Sequence, residues 1–156
     1  MSDPSVVHNT FVLERSYSKP PERVFAAFAN PEIKQRWFAD SRGHDVVAFD
    51  QDFRVGGVER LQYCLSEETP FPGAVLVNEG RYQDIIPNRR IVTASTMDLA
   101  DRRISASLVT LEFVATEKGT DLIFTHQGTF FEGSGGPEMR QQGWQTLLDR
   151  LEKELS

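Results

Sequence analysis

The sequence predicts an α+β fold: a curved, seven-stranded antiparallel sheet, two short helices after the first strand, and a long C-terminal helix packed across the sheet and enclosing a cavity. Three observations carry this expectation. From about Val46 to Thr129 the apolar residues recur with period two in six short segments separated by turns, with no helical stretch between them. Ahead of them, "KPPERVFAAFA" and "NPEIKQRWF" carry helix-start signals. After them, "GWQTLLDRLEKEL" places Trp144, Leu147, Leu148, Leu151 and Leu155 at i, i+3, i+4, i+7 and i+11, a stripe that has to be buried against something.

Taken in order, "NTFVLERSYS" reads as an opening strand with Phe11 and Leu13 on one face. Pro20 and Pro21 then open a helix, because a proline at the first helical position forfeits no hydrogen bond, and Val24, Phe25 and Phe28 form its apolar edge. A second helix follows, with Asn30 as N-cap, Pro31 in the first turn, and Ile33 and Trp37 one turn apart. Strands are expected near 46–50, 57–65, 74–84, 90–97, 103–114 and 120–129, joined by "RVGG", "EETPFPG", "IIPN", "DLAD" and "TEKG". "EGSGGPE" is a flexible loop, and Pro137 opens the last helix. On that helix Asp149–Lys153 and Arg150–Glu154 are opposite charges at i, i+4, which suits a solvated face.

With 156 residues the chain fits a single domain spanning 1–156. At 39% apolar and 26% charged it has an ordinary globular composition. A net charge of −6, with no run of Lys or Arg longer than two, speaks against non-specific nucleic-acid binding, which needs cations to neutralise phosphates. A lone Cys64 makes no internal disulfide and fits a reducing compartment. The opening "MSDPSVVHNT" lacks a signal-peptide pattern, and no apolar run reaches membrane-span length, so a cytoplasmic protein is expected, away from the membrane.

His8, His44 and His126 are scattered and none stands at zinc-like spacing from Cys64, so no metal and no cofactor is expected. No G-x-S-x-G elbow occurs, Cys64 shares the polar side of its strand, and no catalytic residue is assigned. "GSGGP" lacks the Gly-Lys-Ser/Thr ending of a phosphate loop and reads as a hinge.

Alternation along the strands is more informative. One face carries Glu59, Leu61, Tyr63 and Leu65; another Ile91, Thr93, Ser95 and Met97; another Arg103, Ser105, Ser107, Val109, Leu111 and Phe113; another Leu122, Phe124 and His126. Small hydroxyl residues stand where a closed core would put bulk, which points to a partly polar interior with room in it; solvent-facing Ser and Thr is the plain alternative.

The order of elements, and the pieces "RSYSKPPERVFAAFANPEIKQRWF", "DFRVGG", "GRYQDIIPNRRIV", "TDLIFTHQG" and "GWQTLLDRLEKEL", resemble the helix-grip, START-like (SRPBCC) superfamily shared by the birch-pollen-allergen fold and aromatic-polyketide cyclases. Within it the chain is similar to the family named for the C-terminal domain of the activator of the heat-shock protein 90 ATPase. That co-chaperone has an additional N-terminal domain, whereas this chain begins directly with the helix-grip strand. In similar sequences the positions of Thr93 and Ser95 often hold aromatic residues, so the resemblance implies a roomier or differently shaped cavity here.

Three functions follow as expectations. The first is binding of a small apolar or aromatic metabolite, by Trp37, Glu59, Leu61, Tyr63, Tyr82, Thr93, Ser95, Arg103, Ser105, Ser107, His126 and Trp144. The second is a polyketide cyclase- or hydrolase-like enzyme with His126 or Glu59 as acid or base. The third is a chaperone-assisting interaction domain. Homodimerisation stays open. Two finer expectations are that Glu59 and Arg103 pair inside, and that Thr93 and Ser95 leave space beside Tyr82 and Trp144.

Overall fold

The structure is a computed structural model describing residues 5–40 and 45–156; His44 lies outside the described residues. Its elements are β1 (Val7–Tyr17), α1 (Pro21–Ala29), α2 (Pro31–Lys34) running on into a π-helical turn (Gln35–Ala39), β2 (Asp45–Gln51), β3 (Val58–Cys64), β4 (Val75–Ile86), β5 (Arg90–Leu99), β6 (Arg102–Thr116), β7 (Gly119–Phe130) and α3 (Gly136–Leu155). The seven strands form one antiparallel sheet in the order β1-β7-β6-β5-β4-β3-β2. β2 to β7 is a simple meander, and β1 closes onto the last strand, Phe11 opposite His126 and Leu13 opposite Phe124. This is the helix-grip arrangement.

Local chemistry sets the helix ends. Pro20 and Pro21 lead into α1, and the Asn30 side chain accepts hydrogen bonds from the backbone N–H of Glu32 (2.9 Å) and Ile33 (3.3 Å), capping α2. The widened turn after Lys34 buries Trp37, Phe38 and Ala39. Trp37 Nε1 donates to the Ala27 carbonyl (2.8 Å), which locks the second helix onto the first. α3 starts behind Gly135, whose φ of 79° is left-handed and favours glycine.

The α3 stripe is buried as its spacing requires: Leu147, Leu148, Leu151 and Leu155 sit in the core, and Trp144 stands half-buried at its edge against Phe38 and Phe124. The charges opposite do not pair along the helix. Asp149 accepts from Arg15 of β1 (2.6 Å), and Glu154 takes Arg36 of the π-helical turn through two hydrogen bonds (3.0 and 3.1 Å). The buried Tyr17 hydroxyl donates to the Leu148 carbonyl (2.9 Å). α3 is thus tied to β1 through Arg15 and Tyr17 and to the π-helical turn through Arg36.

Two irregularities of the sheet shape the interior. Gly128, Ser107, Ser95 and Gly80 are consecutive cross-strand partners and form one row on the inner face. A Cβ on Gly80 would fall 2.7 Å from Thr93 Cγ2 and 2.8 Å from Ser95 Oγ, so the sheet is creased there and only the smallest side chains fit. The second irregularity is a bulge in β6. Met97 is opposite Ser105 and Asp98 is opposite Arg103, so Ile104 is an extra residue.

Candidate functional site

That bulge corrects one expectation. Period two places Arg103 on the face of Ser105, but the extra Ile104 turns Arg103 outward, 54% exposed, where its Nε donates to Asp98 (2.5 Å). Ile104 and Ser105 are both buried instead. Arg103 and Glu59 do not meet.

Glu59 has another partner. Lys34 reaches in from α2, its side chain 9% exposed against 13% for Glu59, and Nζ donates to Glu59 Oε1 (2.5 Å). The same oxygen accepts the Tyr82 hydroxyl (2.7 Å), and Gln51 Nε2 donates both to that hydroxyl (2.8 Å) and to the Phe28 carbonyl (2.7 Å). The ammonium also lies over the Phe38 ring, 4.6 Å from its centroid. Burial, and then the charge and hydrogen bond of Glu59, raise the Tyr82 phenol well above its ordinary range, so it is a neutral donor.

This network borders an inner compartment of about 40 Å³, lined also by Asn78, Thr93, Ser95 and Trp144. That is room for about one or two waters. The small size of Thr93 and Ser95 therefore serves the crease of the sheet and does not open a large cavity.

The larger space lies one step along the sheet. Asn78 and Trp144 also line a pocket of about 490 Å³ between the first half of α3 and the ends of β3 to β6. Its walls include Tyr63, Leu65, Leu76, Met97, Leu99, Ile104 and Leu147; the 65–74 connection adds Thr69, Pro70 and Phe71; the loop before α3 adds Gly133, Ser134 and Gly135. Arg140 and Gly143 of α3 complete it, with Met139 at 61% exposure beside them. Arg140 Nη2 donates to the buried Ser105 Oγ (2.7 Å) and contacts Met97 Sδ (3.3 Å), and its guanidinium lies 5.2 Å from the Phe130 centroid.

Of the residues expected to bind a ligand, Tyr63 and Trp144 line the larger pocket and Ser105 reaches it through Arg140. Glu59, Tyr82, Thr93 and Ser95 line the small compartment. Trp37 and Leu61 do not line either space; Trp37 is committed to Ala27 and packs on Phe28 and Phe38, and Leu61 is core. Ser107 belongs to the crease and borders neither compartment. His126 is likewise buried away from both, stacked between Phe11 (centroids 4.7 Å apart) and Phe130 (5.9 Å) with Nδ1 unpartnered. Burial, and then the Arg140 charge, push its pKa down from 6.5 to about 4, so it is neutral. Arg140 and Lys34 are among the site residues that strand alternation does not reveal. Arg140 precedes Trp144 by four, on the apolar face of α3, and Lys34 precedes Phe38 by four; a cation on an apolar helix face was the available signal. Among the described residues, no group of three or more His, Cys, Asp or Glu is placed to hold a metal ion, and no helix is long and apolar enough to cross a membrane.

No curated protein matches the chain. Solved structures do. An uncharacterized protein from Rhizobium leguminosarum is 39% identical, with 97% of this chain and 96% of that chain covered and a TM-score of 0.89. The Mll3558 protein from Rhizobium loti is 38% identical over 97% of this chain and 99% of its own, with a TM-score of 0.86. An AHSA1-like protein from Aeromonas hydrophila, 20% identical over 94% and 92% with a TM-score of 0.67, shares the fold. The family described as Activator of Hsp90 ATPase homolog 1-like protein matches residues 18–156, which include both compartments and all of α3. The chain belongs to that family.

Proposed function

We propose that this protein binds a small, largely apolar molecule in the pocket under α3. One observation carries the reading: a pocket of about 490 Å³ with mostly apolar walls and a few convergent polar groups, Arg140, Asn78 and Tyr63. Ligand sites typically measure roughly 300–1,000 Å³ and have this composition. The enzyme reading has less support. Glu59 shares one oxygen between Lys34 and Tyr82 beside only about 40 Å³, and His126 is packed between rings. With its free Cys64 thiol the protein suits the cytoplasm, where thiols stay reduced.

Gly143 supplies the test. It sits inside α3 and lines the pocket, and a Cβ built there meets no atom within 4 Å. Glycine in a helix interior is unfavourable by roughly 0.5–1 kcal/mol relative to alanine, so its presence leaves room at a cost to the helix. Nile red, a neutral apolar dye, should bind the wild-type protein with enhanced fluorescence. Gly143→Leu should weaken it at least tenfold while holding or raising the melting temperature. Absence of binding to the wild type, or binding indifferent to Gly143→Leu, would overturn the reading.

A further inference from the structure

We propose that the pocket selects an apolar molecule bearing a neutral hydroxyl, and that Asn78 of β4 is the residue that recognises it; this rests on the binding reading above. Most polar side chains of the wall are already engaged by the protein. Thr69 Oγ1 donates to the Ser66 carbonyl (2.9 Å), and Ser134 Oγ accepts from the Gly136 N–H (3.1 Å). Arg140 is held by Ser105, Met97 and Phe130, and Tyr63 has a partner as well. Among the described residues, the Asn78 carboxamide and the Trp144 indole N–H have no hydrogen-bond partner. Both stay open to the pocket, whereas the partnerless polar atoms sealed inside the protein belong to Asn9, Gln51 and His126.

The sheet gives Asn78 nothing to bond. It stands opposite Leu61 of β3 and Met97 of β5, and its neighbours on the same face of β4 are Leu76 and Gly80. None of these four brings a strong donor or acceptor. Asparagine is depleted in strands, and a leucine at this position would match its surroundings, so the carboxamide does not serve the sheet.

The chemistry of the junction defines the group that fits it. Asn78 and Trp144 line both the pocket of about 490 Å³ and the inner compartment of about 40 Å³. Together they offer N–H donors, on Nδ2 and Nε1, and an acceptor, Asn78 Oδ1. A hydroxyl accepts from an N–H and donates to Oδ1; an ether or ketone only accepts; a methyl does neither. The inner compartment has room for about one or two waters, which suits a hydroxyl and excludes a bulky head. A ligand that covers Asn78 without a hydrogen bond strands a desolvated carboxamide, so an analogue lacking the hydroxyl is rejected. The rest of the wall, with Leu65, Leu76, Leu99, Ile104 and Leu147, packs the apolar body.

Displacement of Nile red by 2-naphthol and by 2-methylnaphthalene tests this. The two probes are alike in size and shape and differ in a hydroxyl against a methyl. The methyl compound is the more apolar, so hydrophobic burial alone favours it. On the wild type, 2-naphthol should nevertheless displace the dye at a concentration about tenfold lower. Asn78→Leu, which places an apolar side chain of similar size among Leu61, Leu76 and Met97, should reverse the order. Equal potency on the wild type, or a preference there for the methyl compound, overturns the inference while leaving the pocket intact, and that comparison needs no variant to fold. A preference for 2-naphthol that survives Asn78→Leu overturns it too. If Nile red does not bind the wild type at all, the binding reading itself fails and this inference falls with it.

Discussion

Lys34 and Tyr82, from opposite sides of the interior, both donate to Oε1 of Glu59. The carboxylate is nearly enclosed, so each donor offsets the desolvation of the charge. Lys34→Met leaves that carboxylate without its cation, and a loss of about 3–5 kcal/mol is expected. The double variant Lys34→Met, Glu59→Gln should recover much of it, because no uncompensated charge then remains. Urea unfolding of the four proteins of the cycle measures the coupling. Simple additivity would show that the pair is not the linked unit described here. Arg103→Ala should leave the urea midpoint near that of the wild type, since its partner Asp98 lies at the surface.

Leu148 holds α3 to the sheet twice: its side chain is fully buried, and its carbonyl accepts the Tyr17 hydroxyl (2.9 Å). Leu148→Ala should lower stability by about 2–5 kcal/mol, as buried leucine truncations do. Tyr17→Phe removes only the hydroxyl and its hydrogen bond to a carbonyl that the helix itself also engages, so about 1 kcal/mol is expected. A urea midpoint unmoved by Leu148→Ala would mean that the helix is not docked on the sheet.

The strands, the capped helices and the α3 stripe were legible in the sequence because each rests on local periodicity or on a residue with one conformational use, such as Asn30 or Pro31. The interior polar residues were legible only as far as period two held. It placed Glu59, Ser105 and His126 inside and failed at Arg103, where the extra Ile104 reverses the alternation. No residue type announces a bulge. The partner of Glu59 comes from a helix 25 residues earlier, and the position of the larger pocket depends on how α3 lies over β3 to β6. Both are tertiary relationships that strand patterns do not contain. The small residues at Ser95 and Ser107 were visible, but a crease and a cavity call for the same side chains.

His126 predicts a pH dependence whose sign is fixed by its environment. Its native pKa of about 4, lowered first by burial and then by Arg140, lies below the ordinary value of 6.5. Above 6.5 the ring is neutral in both folded and unfolded chains and the stability is fully present. As the pH falls from 6.5 towards 4 the unfolded chain binds a proton that the native state does not, and stability declines. The contribution is on the order of 3 kcal/mol at most. His126→Phe keeps a flat ring between Phe11 and Phe130 and cannot titrate. Its urea midpoint should fall less than that of the wild type between pH 7 and pH 4. Parallel declines in the two proteins would remove His126 as the cause.

Ser95→Trp separates a crease from a cavity. Were Ser95 beside open space, an indole would fill it and block a ligand with no loss of stability. The compartment beside Ser95 holds only about 40 Å³, and its Oγ lies 2.8 Å from where a Cβ on Gly80 would stand. An indole there must displace Thr93, Tyr82 or the strands themselves, and overpacking of this kind is unfavourable by roughly 1–3 kcal/mol or more. The melting temperature of Ser95→Trp should therefore fall, while the fraction that remains folded binds Nile red with wild-type affinity, because the 490 Å³ pocket lies beyond Asn78 and Trp144. The contrast with Gly143→Leu makes the assignment two-sided: one substitution should lower stability and spare binding, the other spare stability and lower binding. If Ser95→Trp abolished dye binding with an unchanged melting temperature, the ligand would occupy the inner compartment beside Glu59, and the pocket under α3 would not be the site.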